Sequence, residues 1–187
     1  MQSPGITVTP IYNMTGTHDF NEVVFDDVVI PENHLIGEAD MAWKQATSEL
    51  AYERSGPERF LETIYVLYEL IDLAAASPGE RLTEGIGRLV AQLATLRTMS
   101  LSVAGMLEAG ELPEIESALV KELGTNWEQI LPGKARDLAP TTHVQAGNRL
   151  NFDQTLAYAT LIAPKLTIQG GTREILRGII ARGLGLR

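Results

Sequence analysis

From Met41 onward, apolar residues recur at steps of three and four, and this helical period constrains the fold more than any other feature of the sequence. Long amphipathic helices joined by short turns pack as an antiparallel bundle. We therefore expect a mainly α protein built as an up-down four-helix bundle. The predicted helices run from Asp40 to Ala76 with a kink at Gly56-Pro57, from Leu82 to Glu108, from Pro113 until Pro132-Gly133 closes the helix, around Phe152 to Ile162, and from Thr172 to Arg182.

The third predicted helix has apolar residues at helical spacing, which are expected to form its inward face. That face consists of Ile115, Leu119, Leu123, Trp127 and Ile130. Residues 133–152 carry no clear period and are expected to be irregular.

Residues 1–31 are typical of β structure, because short runs of β-branched residues alternate with turn residues. Pro10 is expected to interrupt the first strand and Pro31 to end the last one. Two or three short strands cannot bury their own face, so they indicate the remnant of a larger sheet. The predicted organisation is a short β segment at 1–38 and a helical bundle at 39–187.

Composition excludes several classes of protein. The net charge of −9 opposes nonspecific binding to nucleic acid or to an anionic membrane. The chain has no cysteine and only three histidines, none at ligand spacing, so neither thiolate chemistry nor a metal site is expected. No signal peptide and no membrane span are predicted, and we expect a cytoplasmic protein.

Two stretches of the sequence resemble the acyl-CoA dehydrogenase family. The first is PGITVTPIYNMTGTHDFNEVVFDDVVIPENHLIGEADMAWKQATSELAYERSG, in which Phe25–Pro31, the Leu35–Glu38 turn and Trp43 match the end of the family's β-domain and the start of its helical domain. The second is LTIQGGTREILRGIIARGLGLR, which is similar to the family's closing helix. The matches cover about residues 4–60 and 164–187, whereas 61–163 match only in helical pattern.

The resemblance implies the carboxy-terminal part of a flavin-dependent enzyme. Such enzymes oxidise an acyl-CoA thioester to the 2-enoyl-CoA, with FAD accepting the hydride and electron-transfer flavoprotein or a similar protein accepting the electrons. The family forms homo- or hetero-oligomers and acts in fatty acid metabolism. A thioester α-proton is a weak acid, so the carboxylate base needs desolvation and the developing enolate needs hydrogen bonds.

The resemblance implies that Glu53 is the catalytic base. In most members the base precedes the last helix, where this chain has Gly170, and in others it lies on the first bundle helix, where this chain has Glu53. The alternative interpretation is that Glu53 belongs to a surface run of charges with helical pairing. Arg54 and Gly170 are then implied in substrate binding, unless Arg54 merely pairs with Glu58 on the surface.

The implied cofactor residues lie at both ends of the matched regions. They are Trp43, Gln169, Gly171, Thr172 and Glu174. The alternatives are that Trp43 is a core residue and that Gly170, Gly171 and Thr172 form an ordinary turn and N-cap.

Two family elements are altered in this chain. HVQAGNR, with His143 and Gln145, stands near the expected Gln-x-x-Gly-Gly-x-Gly, and SPGERLTEG stands where Arg-x-Phe-Gly is expected. Both changes argue against binding of FAD across a dimer interface. The open alternatives are a non-catalytic partner subunit and a monooxygenase or oxidase of the same fold. Room at Gly170 favours a long, branched or ring-bearing acyl group, and this piece alone is expected to be inactive.

Overall fold

The computed structural model describes residues 1–140 and 146–186. They form two compact units, Met1–Ser48 and Glu49–Arg187. In the described part no helix is both long and apolar enough to cross a membrane. The elements are β1 Ile6–Tyr12, β2 His18–Phe25, α1 Ala42–Ser48, α2 Leu50–Ser55, α3 Ile64–Ala76, α4 Glu80–Glu108, α5 Glu114–Leu138, α6 Ala146–Leu166 and α7 Arg173–Gly183.

The first unit is an antiparallel β-hairpin followed by α1. Its register pairs Ile6 with Phe25 and Pro10 with Asn21. The expectation that Pro10 interrupts the first strand was wrong, since β1 continues to Tyr12. A two-stranded sheet consists of edge strands only, where a residue without an N–H is tolerated.

The single kinked helix expected over residues 40–76 is instead broken into separate pieces. Helix α2 ends at Ser55, and Gly56 is extended with φ −66° and ψ 157°. A residue before proline is disfavoured in the helical region, so Pro57 ends the helix rather than bending it. A 3-10 turn, Pro57–Arg59, and a short connection then lead to α3.

The second unit contains the four-helix bundle, made of α3, α4, α5 and α6, as predicted. Helix α4 pairs with α5 and α3 with α6, while α5 also contacts α2 and α7. The core of the bundle is therefore arranged around α5. Its largest apolar cluster includes Leu67, Leu70, Leu89, Leu96, Val103, Trp127, Leu131, Phe152 and Leu156.

Helix α5 differs from its prediction in length and in its buried face. It continues through Pro132 to Leu138, so Pro132-Gly133 does not close it. Contacts with helices on several sides hold this helix despite the missing hydrogen bond at Pro132. Leu123, expected to face inward, is exposed, whereas Lys121 and Glu128 are buried.

Most of the described residues within 133–152, which were expected to be irregular, are helical. Helix α6 begins at Ala146 and runs to Leu166, well beyond the segment expected around Phe152 to Ile162. The last helix agrees with its prediction, because α7 spans Arg173–Gly183 with Thr172 at its N-cap.

Candidate functional site

A short reversal of the chain places Arg59 beside Glu53. Helix α2 is less than two turns long, and the 3-10 turn that follows Gly56 brings Arg59 back towards it. Arg59 Nε donates to the Glu53 main-chain carbonyl at 2.8 Å. Arg59 Nη2 donates to Glu53 Oε1 at 2.6 Å. The break at Gly56-Pro57 is thus what allows Arg59 to hold Glu53 by both its backbone and its side chain.

Gly170 lies directly against this pair. Arg54 Nε donates to the Gly170 carbonyl at 3.0 Å, across 116 positions of sequence. A Cβ atom built on Gly170 would lie 3.6 Å from Glu53 Oε1 and 3.5 Å from Arg59 Cζ. The structure therefore brings Glu53, Arg54 and Gly170 together.

The simple surface interpretation of these charges does not describe their geometry. Arg54 is only 5% exposed, and its recorded bond is to Gly170 rather than to Glu58. Burial lowers the pKa of Arg54, against the opposing effect of Glu114 and Glu53. The Glu53 side chain is 46% exposed, and its partner Arg59 is six residues away rather than one helical turn.

The segment that follows α6 presents bare main chain. Gly170 and Gly171 have φ of +67° and +108°, which side-chain-bearing residues rarely adopt. Gln169 is half-buried beside them. These residues form the approach to the N-terminus of α7.

Thr172 occupies the N-cap position but its side chain makes no capping hydrogen bond. The pKa of Glu174 is lowered by its own backbone N–H and by the Thr172 hydroxyl, both of which hydrogen-bond the carboxylate. Thr172 and Glu174 therefore form a polar pair at the first turn of α7. Helix N-termini of this kind favour negatively charged groups.

Trp43 lies in the first unit, on α1, and is 82% exposed. The alternative that Trp43 is a core residue does not fit this exposure, since the hairpin and α1 do not bury it. His143 and Gln145 lie outside the described residues. Within residues 1–140 and 146–186, no group of three histidine or acidic side chains is arranged to hold a metal ion.

Helix α5 carries a row of buried polar residues near the site, Lys121, Thr125 and Glu128, which were not predicted from the sequence. Lys121 Nζ donates to Thr125 Oγ1 at 2.6 Å and to the Leu166 carbonyl at 2.8 Å. Glu128 Oε1 accepts the Thr63 backbone N–H at 3.1 Å. The spacing 121, 125, 128 is helical, so a polar stripe on one face was the signal available in the sequence.

Burial dominates the titration of both charged members of this row. Desolvation lowers the pKa of Lys121 to about 8, with nearby Arg59 acting in the same direction. Desolvation raises the pKa of Glu128 to about 7, against hydrogen bonds from the Thr63 and Glu62 backbones. Both groups are therefore costly to hold in their charged forms.

Helix α7 is anchored to α5 by a second group of charges. Glu122 accepts from Arg173 Nη2 at 2.9 Å and from Arg177 Nε at 2.9 Å. Glu122 is 8% exposed, and Asn126 Oδ1 accepts a longer bond from Arg173 at 3.4 Å. This anchor fixes the helix that begins just after Thr172.

A largely apolar cavity of about 560 Å³ opens beside α2, the helix that bears Glu53. Tyr52 and Ser55 line it from α2, and Arg97 lines it from α4. Its apolar walls include Phe60, Ile64, Leu93 and Leu107. A volume of this size is in the range of small-molecule sites.

The family model and the curated relatives that match this chain agree on one family. Residues 76–185 match the model of the acyl-CoA dehydrogenase C-terminal domain. The acyl-CoA dehydrogenase IpdE1 of Mycobacterium tuberculosis is 31% identical over 198 residues, covering 100% of this chain and 49% of that protein. The chain thus spans about half the length of this curated relative, and 26% of another, FadE34 of the same organism.

Solved structures agree on the fold. A steroid ACAD, Tcur3481-Tcur3483, superposes with a TM-score of 0.77 at 20% identity, over 99% of this chain and 50% of that one. The ChsE4-ChsE5 complex from Mycobacterium tuberculosis superposes with a TM-score of 0.79 at 21% identity, over 100% of this chain and 51% of that one.

Proposed function

Because the chain belongs to the acyl-CoA dehydrogenase family, we propose that it supplies the helical domain of a flavin-dependent acyl-CoA dehydrogenase whose base is Glu53. The observation that carries this proposal is the contact between positions 53 and 170. The two places where the family resemblance puts a catalytic glutamate meet at one point, with 3.6 Å between Glu53 Oε1 and a Cβ built on Gly170. One of them has a carboxylate and the other has none.

In this proposal Glu53 removes the α-proton of the acyl thioester. Arg59 orients the carboxylate, because it binds both the Glu53 backbone and Oε1. Arg54 fixes the opposite wall through the Gly170 carbonyl. The exposed half of the Glu53 side chain is where the substrate would bind, and substrate binding would exclude water from it.

The residues before α7 fit a flat cofactor. Gly170 and Gly171 allow close approach of the main chain, and Thr172 stands at a helix N-terminus. FAD bound there would supply the acceptor for the hydride that leaves the β-carbon. Trp43, Gln169 and Glu174 are proposed as further contacts of FAD.

The chain spans about half of IpdE1, so we propose that activity requires an assembly in which the rest of the flavin and substrate sites is present. The purified chain alone is expected to be colourless and to show no acyl-CoA-dependent reduction of a dye. A yellow chain that reduces the dye would contradict this expectation. Electron-transfer flavoprotein or a similar protein is the proposed acceptor in the assembly.

The base is tested by moving it. In the assembly that contains this chain, Glu53→Gln should lower acyl-CoA oxidation by about 10²–10⁴-fold, since the amide cannot accept the proton. The double variant E53G with G170E should recover only part of the loss, because the new carboxylate would enter the same space but any side chain at position 170 is strained at φ +67°. Unchanged turnover in E53Q would remove Glu53 from the mechanism.

The same assay distinguishes this proposal from the alternative of a monooxygenase or oxidase with the same fold. Absence of acyl-CoA oxidation in the unaltered assembly, together with consumption of oxygen on another substrate, would favour that chemistry. Such a result would leave the fold and the family unchanged.

We propose that the cavity beside α2 holds the acyl portion. Its apolar walls and volume of about 560 Å³ suit a long or ring-bearing group, in keeping with the steroid ACAD among the structural relatives. Ala104 lies in the wall, so Ala104→Trp should fill the cavity. The variant should raise KM for bulky acyl-CoA substrates and spare butyryl-CoA; an equal effect on both would contradict the assignment.

A second candidate is a non-catalytic partner subunit. The ChsE4-ChsE5 complex is a relative built from two different components. The altered segments at 77–85 and 143–149 fit a chain that supplies helices while a partner holds the flavin. Full activity of the complex with E53Q in this chain would support this candidate, whereas strict dependence on Glu53 would exclude it.

A further inference from the structure

The buried ammonium of Lys121 has no role in the proton transfer proposed above. Its side chain is 1% exposed, and Nζ donates to two neutral oxygens, Thr125 Oγ1 and the Leu166 carbonyl. A charge held in the interior by neutral groups is costly. The position of its second acceptor indicates what the ammonium does.

Leu166 is the last residue of α6, so its carbonyl is one of those that a helix leaves without an internal partner. The chain then runs through the short connection 167–171, which ends in two glycines, to α7. Lys121 fixes the carbonyl at one end of that segment and Arg54 fixes the Gly170 carbonyl near the other end. A five-residue segment with hydrogen-bonded carbonyls at Leu166 and Gly170 has little freedom to move.

The two hydrogen bonds that hold this segment come from different helices. Arg54 belongs to α2, beside Glu53, whereas Lys121 belongs to α5. Helix α5 also approaches the Glu53 side directly, because Gly124 lies under the Arg59 carbonyl. Helix α5 therefore contacts both the turn that carries Arg59 and the start of segment 167–171.

From this geometry we infer that Lys121 is a positioning residue that holds the segment 167–171 against Glu53. Its catalytic meaning rests on the proposed function, but its effect on the segment does not. The charged groups around the Lys121 ammonium are Glu53 on α2, Arg59 in the turn after it, Glu62 before α3, and Glu128 on α5. Loss of the ammonium should release the segment and leave the four-helix bundle intact.

The test is local hydrogen–deuterium exchange on the full 187-residue chain. In Lys121→Met, the peptide covering 167–171 should exchange about tenfold faster or more, while α4 and α3 keep their protection. Lys134→Met is the matched control, since Lys134 is exposed on the same helix, and its exchange should equal that of the unaltered chain. An unchanged 167–171 peptide in K121M would overturn the inference, as would an equal loss of protection in every helix.

Two alkylated forms of K121C distinguish the effect of the Lys121 charge from the effect of its packing. The natural sequence contains no cysteine, so K121C can be alkylated selectively after unfolding and then refolded. Bromoethylamine yields a lysine isostere with an ammonium, and bromopropane yields an apolar isostere of the same length. The ammonium form should restore slow exchange at 167–171 and the propyl form should not. Equal restoration by both, or refolding of the ammonium form alone, would show a packing or global folding role and overturn the inference.

In the active assembly saturated with FAD, K121M should lower kcat and leave KM within about twofold, because no residue of 167–171 lines the cavity proposed for the acyl group. A rise in KM with unchanged kcat would contradict a positioning role at Glu53. If E53Q has no effect on turnover, the proposed function fails, and the exchange result for Lys121 still stands or falls by itself.

Discussion

Glu128 shows how a single buried carboxylate can replace a local helix cap. Thr63 is the N-cap of α3, but its hydroxyl makes no capping bond and is buried without a hydrogen-bond partner. Glu128 from α5 accepts the Thr63 backbone N–H instead. The carboxylate interacts favourably with the helix N-terminus, yet burial raises its pKa to about 7.

This raised pKa has a definite sign in the dependence of stability on pH. The folded chain binds more protons than the unfolded chain between the ordinary glutamate range and about pH 7, so the free energy of unfolding should increase as the pH falls through that window. In Glu128→Gln the contribution disappears, because the amide does not titrate. At pH 8 the variant should be more stable by on the order of 2 kcal/mol, because a neutral amide replaces a buried ionised carboxylate.

Urea unfolding at pH 5 and pH 8 measures this difference. Glu22→Gln is the control, since Glu22 is exposed on strand β2 and lies on no helix. The control should shift neither curve relative to the unaltered chain. If E128Q were less stable than the unaltered chain at pH 8, the ionised carboxylate would be a net stabilising group and the sign above would be wrong.

At the scale of elements, the fit of α5 against the turn before α3 depends on one glycine. A Cβ atom on Gly124 would lie 2.6 Å from the Arg59 backbone oxygen and 3.2 Å from Phe60 Cβ. Backbone cannot yield as a flexible side chain can, so α5 would have to move away. The glycine is present because the two segments need this close approach.

We predict that Gly124→Ala destabilises the chain by about 2–3 kcal/mol, the usual cost of overpacking a tight site. Gly133→Ala on the same helix is the matched control, because nothing lies within 4 Å of its added methyl group. The control should stabilise by about 0.5–1 kcal/mol through helix propensity alone. Thermal unfolding of both variants checks the pair, and equal shifts would refute the close approach at Gly124.

The elements also show which features a sequence can predict. Periodicity identified α4 and α7 nearly to the residue, because each buries one apolar stripe. It failed for α5, where contacts on several sides bury Lys121 and Glu128 and carry the helix past Pro132. Multiple packing partners are a tertiary property that local spacing does not encode.

Some residues of the candidate site were likewise predicted from the sequence and others were not. Glu53, Arg54 and Gly170 were identified through family motifs, and they meet in the structure. Arg59 was not predicted as a site residue. Its role depends on the chain reversal after Gly56, and a sequence interpreted as a continuous kinked helix points Arg59 elsewhere.

For the whole molecule, the main consequence is the division into two units. All residues of the two apolar clusters lie in Glu49–Arg187, between Phe60 and Ile180. The hairpin in Met1–Ser48 leaves Val24, Phe25 and Tyr12 exposed. A two-stranded sheet of this kind is marginal by itself in water.

We therefore expect residues 49–187 to fold alone and residues 1–48 to remain unfolded alone. The longer piece should keep a cooperative thermal transition within about 5 °C of the full chain, since it retains the whole core. Circular dichroism of the two pieces measures this. A longer piece without a cooperative transition would show that the hairpin is required for the bundle.

The central position of α5 has a further consequence for the order in which the chain folds. Helices α4 and α5 are joined by a short turn and can pair early, whereas α2 and α7 reach α5 from distant parts of the sequence. Distant contacts close larger loops and form more slowly. Glu53 and Gly170 meet only after both segments have docked. We expect a kinetic intermediate with nearly native helix content and no base site, so the proposed chemistry would be the last property that this chain acquires.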